Sequence, residues 1–114
     1  PIRAVRGSSN ILPPGSFLKQ GEFLKSNNTA YYAVLQRDGN LVVYVSRHWI
    51  PRNALWSSNT SNKPPFVGPY TLSMQTDGDV VTYDKYNRVV WASQSSMKEA
   101  KPHSLIMQDD GNLV

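Results

Sequence analysis

Gln36, Asp38, Asn40, Val42 and Tyr44 occupy every second position of one short stretch, QRDGNLVVY. The phrase returns as QTDGDVVTY, from Gln75 to Tyr83, and as QDDGNLV, from Gln108 to Val114. Together they offer an amide, a carboxylate, a second amide, an apolar patch and a phenol, a set suited to a neutral polyhydroxylated ring. Each ring hydroxyl both donates and accepts; a carboxylate answers the donors, an amide answers both, and valine covers C–H surface. A hydroxyl in the wrong orientation leaves a buried group unpaired at a cost of about 1–3 kcal/mol, which gives such a site its selectivity. Asp, Gly and Asn are also ordinary turn residues, and a turn alone explains Asp38, Gly39 and Asn40. It does not explain the glutamine before them or the tyrosine six residues after the aspartate, both of which recur in the second copy.

The three copies start at residues 36, 75 and 108, offsets of 39 and 33 residues, which marks one supersecondary unit repeated about a common core. Each copy carries Asp-Gly between apolar blocks (Asp38-Gly39, Asp77-Gly78, Asp110-Gly111), the signal for a hairpin with positive φ at glycine. The blocks YYAVL, NLVVYV, YTLSM, DVVTY, RVVWAS and SLIM read as strands. The eight prolines and seven glycines interrupt every candidate helix, so the fold class is all-β. Before the first copy, Phe17-Leu18 and Phe23-Leu24, with turn glycines at 15 and 21, predict two further short strands. After the first two copies the chain continues alike, LWSSNT and VWASQS, making Trp56 and Trp91 equivalent. Tyr44 to Trp56 spans 12 residues and Tyr83 to Trp91 spans 8, so the first copy carries a four-residue excess within SRHWIPRN. That insertion predicts an exposed loop holding His48 and Trp49.

One domain fits 114 residues, and 39% hydrophobic with 11% aromatic content is enough for a core. Zero cysteines exclude disulfides, a thiol nucleophile and Cys-based zinc sites. The net charge of +4 comes from twelve scattered basic residues without a run that would hold a nucleic-acid backbone. No apolar stretch approaches the roughly 18 residues of a membrane span. A chain opening at Pro1 reads as a processed, secreted form, and the sequons at Asn27 and Asn59 would accept glycans on that route. His48 and His103 have no ligand-like spacing, and counting twelve positions from Asp77 reaches Arg88 where a calcium loop needs Glu. No nucleophile with a base, metal cluster or catalytic carboxylate pair emerges, so the reading is non-catalytic and without cofactor.

With these residues in view, the chain resembles the bulb-type, monocot mannose-binding lectin family, whose signature is Q-x-D-x-N-x-V-x-Y. The N-terminal L..G..L..GEFL pattern and the W-x-S/T-x-T endings extend the resemblance over nearly the whole chain. It implies a β-prism II fold of three four-stranded sheets about a pseudo-threefold axis, with Trp56 and Trp91 meeting in the core. Repeats near residues 31–60, 70–95 and 104–114, completed by the N-terminal segment, would make residues 1–114 one lectin domain. The implied ligand is mannose on glycans: Asp and Asn take the axial 2-hydroxyl, Gln the 3-hydroxyl, Tyr the 4-hydroxyl, and Val lies under the ring. The first site is then complete with Gln36, Asp38, Asn40, Val42 and Tyr44. The second has Gln75, Asp77, Val81 and Tyr83, but Asp79 replaces the amide, removing an NH2 donor and setting a second carboxylate near Asp77, so it is expected to be weak or silent. The third has Gln108, Asp110, Asn112 and Val114, and ends before its Tyr and Trp. Its closing strands are expected from the N-terminal segment, from a partner subunit, or from sequence beyond Val114.

Shallow sites bind single sugars weakly, so the resemblance also implies a homodimer or higher oligomer. The competing reading is a β-prism interaction or defence module that contacts a cell-surface protein through Arg47, His48, Trp49 and Arg52. In that loop Trp49 either meets the partner or folds back over the prism edge.

Overall fold

The computed structural model describes residues 9–93 and 104–114. Among the described residues, ten short strands form three antiparallel sheets. The first sheet joins β3 (Phe23–Lys25), β4 (Tyr31–Leu35), β5 (Leu41–Val45) and β6 (Ala54–Ser57) in that order. The second joins β2 (Phe17–Lys19), β7 (Thr71–Met74), β8 (Val80–Tyr83) and β9 (Val89–Ala92). In the third, β1 (Ile11–Leu12) pairs with β10 (Leu105–Ile106), and an isolated bridge joins Met107 to Leu113. This is the β-prism II arrangement, with the third face reduced to that pair and bridge among the described residues.

The N-terminal segment gives one strand to each sheet: β1 to the third, β2 to the second, β3 to the first. Each of these strands drives one leucine, Leu12, Leu18 or Leu24, fully into the core beside Leu35, Leu41, Leu72, Met74 and Met107. The passage from second to first sheet takes place in two residues: the Gln20 N–H donates to Tyr70 O at 3.0 Å and the Gly21 N–H to Leu35 O at 2.6 Å. Gly21 makes that step at φ +88°, a region where a Cβ is costly.

Corresponding strands pair in the same register. Phe23 pairs with Val34 and Val34 with Val42 in the first sheet, as Phe17 pairs with Ser73 and Ser73 with Val81 in the second. Tyr32 faces Tyr44 as Thr71 faces Tyr83. Both sheets slip register at the same place, between Val43 and Tyr44 and between Thr82 and Tyr83. The bulge falls immediately before the site tyrosine near the end of each strand, inside β5 for Tyr44 and at the last residue of β8 for Tyr83.

The two equivalent tryptophans meet edge to face, with ring centroids 5.7 Å apart, but not as a buried core. Trp56 is 44% exposed and Trp91 is partly buried. Together with Leu41, Val43, Leu105 and Leu113 they line an open apolar cavity of about 790 Å³ between the sheets. Trp91 packs against the core cluster, whereas Trp56, expected in the core with it, keeps 44% of its surface exposed.

Candidate carbohydrate-binding site

All three Asp-Gly phrases form the same turn. In the first, the Gly39 N–H donates to Gln36 O (3.0 Å), the Gln36 N–H to Asn40 O (2.9 Å), and the Asn40 N–H to Asp38 Oδ1 (3.0 Å). Gln75 to Asp79 and Gln108 to Asn112 repeat these bonds at 2.9–3.2 Å. Glycine takes φ of +87°, +92° and +90° in the three copies. Gly39 also packs face-on against Tyr70, where an added Cβ would stand 2.8 Å from Cζ. Turn chemistry thus uses one oxygen of each aspartate and leaves the other side chains to be explained separately.

In the first copy those side chains are held in defined orientations. Gln36 Nε2 donates to Tyr44 Oη, so the phenol proton and the Gln36 Oε1 acceptor remain for a ligand. Asn40 Oδ1 accepts from Ser58 Oγ (3.1 Å) and from the Thr60 N–H (3.3 Å), which fixes the amide with Nδ2 as the remaining donor. Asp38 Oδ2 accepts from Ser61 Oγ at 2.6 Å, and buried Thr60 anchors the turn by donating to Gly39 O at 2.8 Å. Burial pushes the Tyr44 phenol above its ordinary pKa, the Gln36 hydrogen bond opposes this, and the Asp38 charge adds to the rise. These donors and acceptors lie along one strand and its turn, with Val42 buried between them in the sequence, and have the chemistry to pair with hydroxyls of a sugar ring.

The second copy keeps the frame. Gln75 Nε2 donates to Tyr83 Oη, Ser93 Oγ donates to Asp79 Oδ1 at 2.8 Å, and Val80 N–H donates to Ser93 Oγ at 2.9 Å. Ser93 therefore holds Asp79 as Ser58 holds Asn40, with a carboxylate oxygen standing where the first copy has an NH2. Gln75, Asp77 and Tyr83 line an open groove of about 780 Å³ with Phe17, Thr71, Ser73 and Asn87, while Val81 is buried beneath. In the third copy Asn112 Nδ2 donates to Asp110 Oδ2 at 3.1 Å, so the amide is spent within its own turn. Gln108 is partly exposed, and Asp110, Asn112 and Val114 are exposed. Asp109 ties this turn to the β3–β4 turn, accepting from the Asn28 N–H at 2.9 Å.

The residues that sequence reasoning missed are Ser58, Thr60 and Ser61. Their signal was present in the recurrence of serine two residues after Trp56 and Trp91, Ser58 and Ser93, inside segments read only as strand endings. Trp49 resolves to the second of its two expected placements: it folds back on the first sheet, with ring centroids 5.2 Å from Phe23, 6.0 Å from Tyr32 and 6.4 Å from Tyr44. Among the described residues no group of three or more His, Cys, Asp or Glu could hold a metal, and no helix is long and apolar enough to cross a membrane. His103, and the end of the second repeat at Gln94 and Ser95, fall outside the described residues.

A prism of repeated hairpins that carry polar turn sites beside a tyrosine is the architecture of sugar-binding lectins, and comparison with known proteins agrees. A mannose-specific lectin of Aloe arborescens is 30% identical over 105 residues, 92% of this chain and 87% of that protein. The B-type lectin plumieribetin of Scorpaena plumieri is 31% identical over 105 residues, 92% of this chain and 84% of its own. The mannose-specific agglutinin of snowdrop (Galanthus nivalis) bulbs, solved with methyl-α-D-mannoside, superposes with a TM-score of 0.80 at 34% identity, covering 93% of this chain and 87% of that one. No family model matches the chain. The chain belongs to the family of these mannose-specific, bulb-type lectins.

Proposed function

We propose that the protein is a non-catalytic lectin that binds mannose-terminated glycans at its Asp-Gly turns. One observation carries the reading: in two sheets the same glutamine amide is bonded to the same tyrosine hydroxyl beside an aspartate and a side chain held by serine. In the first site Asp38 and Asn40 take the axial 2-hydroxyl, Gln36 the 3-hydroxyl and Tyr44 the 4-hydroxyl, over Val42; Gln75, Asp77, Asp79, Val81 and Tyr83 play these parts in the second. The third turn, Gln108 to Val114, contributes least because its amide is already bonded to Asp110. Residues 1–114 act as one lectin domain. The protein acts outside the cell, where exposed asparagines at both sequons, Asn27 and Asn59, could carry glycans, and serves there in defence. Self-association into a dimer or larger particle would convert weak shallow sites into useful avidity.

Calorimetric titration with methyl α-mannoside and, in parallel, methyl α-glucoside tests the reading, since the two differ only at the 2-hydroxyl. Selective binding of the mannoside is expected. Equal binding of both, or of neither by folded protein, refutes it.

A further inference from the structure

We propose that Trp49 is a built-in occupant of the first sheet's sugar groove, so that the signature-complete site is the covered one and the open groove of the second sheet is the principal site of the free protein. The inference rests on the lectin reading above and concerns which of its sites is available.

The register of the two sheets carries the argument. The open groove of the second sheet is walled by Phe17, Thr71, Ser73 and Tyr83. Position for position, these correspond to Phe23, Tyr32, Val34 and Tyr44 of the first sheet. Three of those four, Phe23, Tyr32 and Tyr44, are the rings against which Trp49 packs. The indole therefore fills in one sheet the space that stands open in the other. Tyr44 is 5% exposed, whereas its counterpart Tyr83 keeps partial exposure. Since Tyr44 Oη is the hydroxyl that Gln36 aims at a ligand, a sugar reaching it must displace the indole.

The loops explain why only one groove is filled. In the second sheet the short turn after Tyr83 is tied by Asp84, which accepts from the N–H groups of Tyr86 and Arg88 at 2.9 Å each and pairs with the Arg88 guanidinium at 2.7 Å. In the first sheet the longer segment makes a separate 3-10 turn, Pro51–Asn53, with Asn53 Nδ2 donating to His48 O at 2.9 Å. The extra residues give Trp49 the reach to turn back over the sheet. The partner side chains differ accordingly: Tyr32 gives the indole an aromatic wall, while its counterpart Thr71, with Ser73, lines the open groove with small hydroxyl-bearing residues. Trp49 itself stays 37% exposed, as expected of a cover with one face in water.

The test is titration of methyl α-mannoside into wild type, Trp49→Ala, and Trp49→Ala combined with Asp38→Ala. A cover scales the apparent affinity by the fraction of time it is open. Removing a ring of this contact area should therefore strengthen binding at the first site about tenfold or more. Adding Asp38→Ala should abolish that gain and leave the wild-type binding of the second sheet. Trp49→Phe, which trims the ring without emptying the site, should give a smaller gain in the same direction and serves if the alanine variant does not fold. Unchanged or weaker binding in folded Trp49→Ala, with wild type still binding, overturns the inference and leaves the lectin reading standing. Absence of binding in every protein refutes the lectin reading and the inference with it.

Discussion

Asp79→Asn should raise the mannoside affinity of the open groove. Ser93 Oγ donates to Asp79 Oδ1 at 2.8 Å, as Ser58 Oγ donates to Asn40 Oδ1 at 3.1 Å, so the oxygen end of an amide at position 79 is already specified by its neighbour. The substituted NH2 then falls on the other branch of the side chain, as Asn40 Nδ2 does in the first copy. Backbone geometry should not change, because the Asp79 N–H donates to Asp77 Oδ1 at 2.9 Å independently of the side chain. The gain is one ligand hydrogen bond, about 0.5–1.5 kcal/mol net of water, or about 2- to 12-fold in Kd. Relief of carboxylate repulsion adds little at a turn wetted by solvent and salt. Calorimetry with methyl α-mannoside and methyl α-glucoside reads the effect. Improvement for the mannoside only is expected, because the new donor addresses the axial 2-hydroxyl. Asp79→Ala serves as control: it removes the carboxylate without adding a donor, and should not improve binding. Unchanged affinity in Asp79→Asn, or equal gains for both sugars, would refute the assignment of this position to the 2-hydroxyl.

Three further outcomes follow from the same geometry. Tyr83→Phe removes the hydroxyl that Gln75 orients, and should weaken mannoside binding about 2- to 12-fold while circular dichroism remains of β type. Gly39→Ala forces a Cβ to within 2.8 Å of the Tyr70 ring at φ +87°, and should cost about 2–4 kcal/mol in urea unfolding; a cost under about 0.5 kcal/mol would contradict the packing described. Asp84 is the pH-sensitive tie: burial alone would raise its pKa, but hydrogen bonds from Arg88 and from the backbone N–H groups of Arg88, Val67 and Tyr86 hold it down to about 2 from an ordinary 3.8. The folded state therefore binds fewer protons than the unfolded one in that window. Its contribution is full above pH 3.8 and drains as pH falls toward about 2, and Asp84→Asn should flatten that limb of the stability curve.

Much of the architecture is legible in the residues because it is local. Asp-Gly between apolar blocks encodes the three turns, and the period-two alternation encodes the strands on either side, so Gln36, Asp38, Asn40, Val42 and Tyr44 could be named as one site before any coordinate. The loss of an amide at Asp79 is likewise visible, because it is a change of residue type at a repeated position. What depends on distant partners is not visible. The destination of Leu12, Leu18 and Leu24 in three different sheets is decided by which edge each N-terminal strand finds. The orientation of the Asn40 amide is decided by Ser58 and Thr60, 18 and 20 residues away. The sequence by itself therefore determined where the repeated polar turns lie and which copy has the full set of groups. Only the tertiary structure decided which copy is open, because access depends on an indole five residues beyond Tyr44 folding back onto rings from two other strands, a contact that no spacing of residues records.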